Sequence, residues 1–482
     1  MKSREASWLS RIGLALGATV VTALGALSFG ASQAVAERGL TVGLTDSVFN
    51  GADRSVWLDR ADDVRAQTIL LAASWTGVAP VSEPSKEEAS DPGFAGYNWA
   101  SVDASVQEAA ARGMEPMLLV TGAPAWAEGK NRPGFGEAHA GTWKPSPSKL
   151  RDFGRAIASR YSGNFDPDGP LGQPELPRVR NFQLWAEPNL AIYLTPQSKG
   201  GKPFAGDHFR KMLRGFYEGV HGAPGSAKVI TGGTAPYGDP PPSNTRTQPV
   251  LFWREVLCLK GRQALEPVKC SKPAKFDVLS HHPINVGSPS RSAFNPDDAS
   301  TPDIGRIRRV LDKAERTNRV EPGGKKPIWA TEIWWDSKPP DPDGVPEQRH
   351  AQYLSESFYR LWKQGVERVI WFQIRDQACS PSCAGSPQTG LFLQNGNPKL
   401  AADAFAFPFV ANAEKGKNVS VWGLAPDGGD VVIERKKNGN WDTVSHANAG
   451  GNRVFAKKFR LKGNASLRAR ADGETSLPRA VG

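Results

Sequence analysis

Eight short apolar runs, set apart by amphipathic stretches and long loops rich in proline and glycine, leave few folds open to this chain. They lie near residues 39–44, 67–75, 116–121, 180–186, 228–233, 276–280, 327–332 and 368–374. Val, Ile, Leu and Trp dominate them without strict alternation, as in parallel strands covered on both faces. Helical patterns fall between them at 102–112, 148–161, 209–220, 304–317 and 348–364. Strand and helix in this order predict a closed (β/α)8 TIM barrel, with a doubly wound open sheet as the alternative. No glycine-rich phosphate turn follows the first run, which argues against the open sheet. The long loops at 81–97, 128–147, 195–206, 238–247, 283–302, 338–346 and 376–390 follow strands, so in a barrel they crowd the face that carries active sites.

The pattern changes near residue 411. Runs at 418–423, 430–435, 453–460 and 466–470 are short, partly alternating and separated by Gly, Asn and Asp turns. They predict a small antiparallel β domain over 411–482, behind a barrel domain at 37–410. Trp422 and Trp441 are its candidate sugar platforms; the alternative is that the domain only packs on the barrel.

Residues 1–36 read as a signal peptide. Lys2, Arg4 and Arg11 precede an apolar stretch over 12–29, and Ala34-Val35-Ala36 is a small-x-small cleavage site. Export to the cell envelope or beyond is expected, with membrane contact only if the stretch stays uncleaved. Four cysteines form two local pairs, Cys258 with Cys270 and Cys379 with Cys383, each able to close a loop as a disulfide. They lack metal-site spacing, and neither metal nor organic cofactor is expected. The formal net charge is +11, and losing three basic and one acidic residue with 1–36 leaves +9. That surplus admits an anionic cell-wall polymer as partner, or serves solubility alone; no basic helix or motif points to nucleic acid.

Two glutamates end apolar runs beside aromatic residues: Glu187 in Trp185-Ala186-Glu187-Pro188-Asn189, and Glu332 in Thr331-Glu332-Ile333-Trp334. A pair of carboxyl groups, one protonated and one ionised, is what cleavage of a sugar acetal requires. Over about 39–408 the sequence resembles the clan A glycoside hydrolases, closest to the family 5 and family 39 types. In those, W-N-E-P-N at the end of the fourth strand carries the acid/base and T-E at the end of the seventh carries the nucleophile. The resemblance implies Glu187 as proton donor and Glu332 as nucleophile in a retaining mechanism on an oligo- or polysaccharide. It also implies His282 near the nucleophile, with Trp371, Trp126, Trp334, Trp75 and Asn189 as sugar contacts.

Three departures accompany it. Ala186 stands where an asparagine normally binds the sugar 2-hydroxyl, Leu70 where the second strand often has arginine, and Ile284 where the sixth has tyrosine. A catalytically idle barrel that only binds carbohydrate is the competing expectation. An esterase or peptidase is disfavoured, because no G-x-S-x-G elbow is present and all four cysteines read as structural.

Overall fold

The computed structural model describes residues 38–134, 136–167, 175–241, 243–379, 382–383 and 385–481. The leader expected at 1–36 lies outside the described residues. Eight parallel strands form the centre: β1 (Thr41–Thr45), β2 (Thr68–Ser74), β3 (Glu115–Thr121), β4 (Asn181–Leu184), β5 (Lys228–Ile230), β6 (Leu279–His281), β7 (Ile328–Ile333) and β8 (Val366–Phe372). Pairing runs β6-β7-β8-β1-β2-β3-β4-β5, and bridges Ile230–Val278 and Thr234–His281 join the two ends into a barrel.

Each strand leads to a helix: α1 (Arg54–Asp63), α2 (Ala100–Ala111), α3 (Pro147–Arg160), α4 (Ala205–Val220), α5 (Pro249–Val256), α6 (Ile304–Arg316), α7 (Glu347–Lys363) and α8 (Leu400–Ala406). Every predicted run is a strand and every predicted helical pattern a helix. Among the described residues, no helix is long and apolar enough to cross a membrane.

The barrel interior is layered. At the bottom, Arg368 pairs with Glu115 at 2.6 Å and lies 4.3 Å over the Trp329 ring. Above it Leu70, Met117, Ile230, Val278, Trp329 and Ile370 fill the middle. This plug keeps water out from below, so the top face, where the strands end, is the place left for chemistry. Leu70 belongs to the plug.

Two antiparallel sheets follow: β9 (Phe409–Ala413), β10 (Asn418–Leu424) and β13 (Val454–Arg460) in one, with β11 (Gly429–Lys437), β12 (Asn440–Ala449) and β14 (Ala465–Ala471) in the other. Phe409, Val421, Ile433, Phe455 and Leu467 form their shared core. Trp422 is no platform: it is 2% exposed and packs on Tyr359 and Trp362 of α7, joining the sheets to the barrel. Trp441 is half-buried, with the Arg468 guanidinium 4.2 Å over its ring. Cys258–Cys270 and Cys379–Cys383 are both disulfides.

Candidate active site

A break in the regular alternation aims each glutamate. Along β7, Ile328 and Ala330 point outward, so strict period-2 alternation would send Glu332 outward too. The register shifts between Ala330 and Ile333, placing an extra residue there and turning Glu332 into the mouth. At the end of β4, Trp185 (φ 72°) and Glu187 (φ 40°) adopt the left-handed conformation that disfavours side-chain-bearing residues. The turn is held by Trp185 N–H to Val120 O and Glu187 N–H to Gly233 O, both 2.8 Å, and by the Trp185 indole N–H to Tyr193 O at 2.7 Å.

His282 links the two acids. Its Nδ1 lies 3.0 Å from Glu187 Oε1 and 3.7 Å from Glu332 Oε2. The ring is buried, while the glutamate side chains keep 15% and 25% exposure, so a ligand can reach both acids but not the base of the imidazole. Gly233 makes this position available: a Cβ there would fall 2.1 Å from His282 Nε2, so any larger residue would expel the ring. The preceding His281 is anchored outward. Its Nε2 meets Ala299 O at 2.9 Å and must be the N–H donor, so Nδ1 accepts from the Thr234 hydroxyl at 2.8 Å. That neutral form suits its burial, which pushes its pKa down to about 3.

Electrostatics follow from this packing. Burial raises the Glu332 carboxyl above its ordinary range and the Glu187 charge adds to the rise. The His282 charge and the Trp334 indole N–H, 3.0 Å from Oε1, oppose it. For His282, burial disfavours the cation, but the two carboxylates outweigh it and the net shift is upward.

Glu187, His282 and Glu332 offer ligand atoms all within 4.8 Å of one another, a set that could also hold a divalent cation. A metal-bound imidazole must be neutral, whereas this setting favours the protonated ring.

Three of the expected sugar contacts are buried in other packing, and a fourth, Trp126, is half-buried outside the acid cluster. Trp371 is fully buried and faces outward, its indole N–H on Thr389 O, stacked on Trp335 and edge-on to His350. Ile370 is in the plug, so alternation brings Phe372 into the mouth instead, and its ring lies 6.5 Å from that of Trp334. Trp75 is fully buried against Phe153 and Trp126. Asn189 is fully buried too, bonded to Ala235 N and O and to Thr247 O, clamping the β4 turn to the end of β5. Trp126 contacts Trp75, Pro80 and Lys149, none of them in the acid cluster.

The sequence reading missed Tyr193. Its phenol is pushed up to about 12, by partial desolvation first and then by the charges of Glu187 and Glu332, although the residue keeps 41% of its surface open. Only its position six residues after Glu187 could have hinted at this. Beyond Trp334 opens a cavity of about 390 Å³ lined by Asp336, Asp341, Asp343 and Cys383.

A family 39 glycoside hydrolase from Bacteroides cellulosilyticus WH2 is similar in structure, with TM-score 0.52 and 16% identity over 88% of this chain and 81% of that one. The two chains share the barrel fold. Also similar are a glucosidase from Croceicoccus marinus (TM-score 0.48, 14% identity, 88% and 93% covered) and a GH5_18 protein from Streptomyces cattleya in complex with GlcNAc (0.41, 17%, 77% and 79%). No protein-family model matches the chain. No curated protein matches it either.

Proposed function

We propose that this protein is an exported glycoside hydrolase that cleaves O-glycosidic bonds with retention, using Glu187 as acid/base and Glu332 as nucleophile. The observation that carries the reading is the approach of the two carboxyl groups: an oxygen of each, with His282 Nδ1 between, within 4.8 Å at the barrel mouth. Retaining enzymes hold their carboxyls about 5–5.5 Å apart, whereas inverting ones leave about 6.5–9.5 Å for a water molecule.

Protonated His282 and the Trp334 N–H favour the ionised form of Glu332 and offset part of its burial. Glu332 then attacks the anomeric carbon while Glu187 gives its proton to the leaving oxygen. Esterification of Glu332 removes one negative charge, and Glu187 becomes the base that draws a proton from the incoming water. Phe372 and Trp334 offer the apolar ring faces in place of Trp371. Proton NMR of a cleaved nitrophenyl or oligosaccharide substrate tests the stereochemistry. The first product is expected to carry the anomeric configuration of the substrate; the opposite anomer would exclude the double displacement.

The pH profile tests His282. Glu332 must be ionised to attack, so the acid limb of kcat/KM follows its carboxyl, which sits above the ordinary value of 4.5. The His282 charge lowers that carboxyl. Replacing His282 by Gln removes the cation, so Glu332 should bind its proton more tightly and the acid limb should move to higher pH. An acid limb that stays in place would dismiss His282 from this role.

A further inference from the structure

We propose that the groove beside Glu187 binds the leaving-group end of a glycan several sugar units long; this rests on the glycosidase reading. Loops after β3, β4 and β5 enclose about 950 Å³, lined by Trp143, Leu190, Ile192, Pro196, Asn244 and Arg246 among others.

The inner end of the groove is fixed by its link to the acid. The Leu190 N–H bonds the Glu187 carbonyl at 2.9 Å, so the lining starts one turn from the proton donor. In that same turn Tyr193 stands beside Ile192, and Ile192 lines the groove. Both side chains are open to solvent, at 41% and 53%. Large apolar groups held out at a cleft are suited to the flat faces of sugar rings.

The walls are already set. Trp143 pairs with Thr195 and Leu190 with Arg246 across the loops. Backbone bonds from Lys144 N to Thr195 O (3.0 Å) and Ala191 N to Thr245 O (2.7 Å) tie the same segments. Little ordering is then left to oppose binding. Apolar faces come from Leu190, Ile192, Pro196 and the ring of Trp143, one side of which carries the Lys144 ammonium at 3.9 Å. They sit among Asn244, bonded to Ser198, and Arg246, paired with Asp239, a mixture of apolar and polar groups that suits a hydroxylated ring.

Size and position give the occupant. Ligand pockets span roughly 300–1,000 Å³, and this groove is near the upper end, with room for more than one ring. The cavity beyond Trp334, on the side of Glu332, holds about 390 Å³. A proton donor stands next to the leaving oxygen, so chain that continues past Glu187 is the part that departs. Substrates should therefore carry several units on that side of the bond.

The test pairs binding with cleavage. Glu332→Gln protein is titrated calorimetrically with β-1,4-linked gluco-, xylo-, manno- and N-acetylglucosamine oligosaccharides of two and six units; wild type is assayed on these and on the matching nitrophenyl monoglycosides. In the series that is cleaved, the six-unit sugar should bind at least about tenfold more tightly than the two-unit one. Ile192→Ala and Trp143→Ala, each placed in the Glu332→Gln background, should cut that advantage below about threefold, and exposed Ile192 can be shortened without disturbing the fold. Equal affinity at both lengths, with nitrophenyl glycosides still cleaved, overturns the groove and leaves the glycosidase standing. A length advantage without any cleavage overturns the glycosidase and keeps a glycan groove. Neither binding nor cleavage anywhere in the panel overturns both.

Discussion

Glu332→Gln is expected to lower kcat by about 10³-fold or more while leaving the melting temperature at pH 7 unchanged or higher. The amide has the shape of the carboxyl but cannot form the glycosyl ester, so both chemical steps lose their route. Stability moves the other way for a reason visible in the packing. Burial and the Glu187 charge raise the Glu332 carboxyl, so the fold prefers it protonated. A carboxyl raised in the folded state costs stability once pH exceeds its unfolded value, and the cost fades as pH falls through the folded one. A neutral amide is free of that cost and still accepts the Trp334 N–H.

Glu187→Gln should behave differently with substrate. Proton donation matters for poor leaving groups, so an alkyl or sugar aglycone should suffer by orders of magnitude. An activated nitrophenyl glycoside should lose much less in the first step. Turnover measured for both variants on both substrate types separates the roles. Equal losses on every substrate would sink the assignment of Glu187 as acid, and near-normal cleavage by Glu332→Gln would remove the nucleophile.

The eight barrel strands were legible because each is buried on both faces, giving dense Val, Ile, Leu and Trp runs between long loops. That same burial hid which side chains face inward. In Val369-Ile370-Trp371-Phe372 every residue is apolar, so the sequence carries no phase and does not tell an inward Phe372 from an outward Trp371. Trp75 fell to the same ambiguity. Asn189 matched a motif position, yet a motif records the residue without its partners, which here are backbone groups of β5 and its loop. Glu187 and Glu332 stand out in the sequence because strand-ending acids beside tryptophan contrast with their apolar surroundings, and the fold brings them together around His282. Tyr193 was hidden because no local pattern reveals that a loop folds back over a strand end. β12, reading Asn440–Ala449 with few apolar residues, was missed because its outer face is solvated.

Lys399→Met is expected to destabilise the fold by about 3–5 kcal/mol, measured by denaturant unfolding at pH 7. The Lys399 ammonium and Asp376 carboxylate side chains are 2% and 0% exposed and meet at 2.6 Å. Lys399 also donates to the Ser337 hydroxyl at 2.8 Å and to Gln388 O at 3.2 Å, tying loops that follow β7 and β8. Those loops carry Trp334 and line the cavity beyond it, so the variant should also loosen the wall beside Glu332.

Removing the cation strands a buried anion, which is far more costly than never having had the pair. Burial already raises the Asp376 carboxyl, and Lys399 is the main group holding it down. Without Lys399 its pKa should climb further, so the variant should lose most stability above the ordinary carboxylate range and recover as pH falls and Asp376 takes up a proton. The deficit at pH 8 should therefore exceed that at pH 5. Adding Asp376→Asn to Lys399→Met removes the stranded charge and should restore a large part of the loss. If the double variant is no more stable than the single one, the pair is holding the loops through its hydrogen bonds to Ser337 and Gln388, and charge balance is not what stabilises this wall of the site.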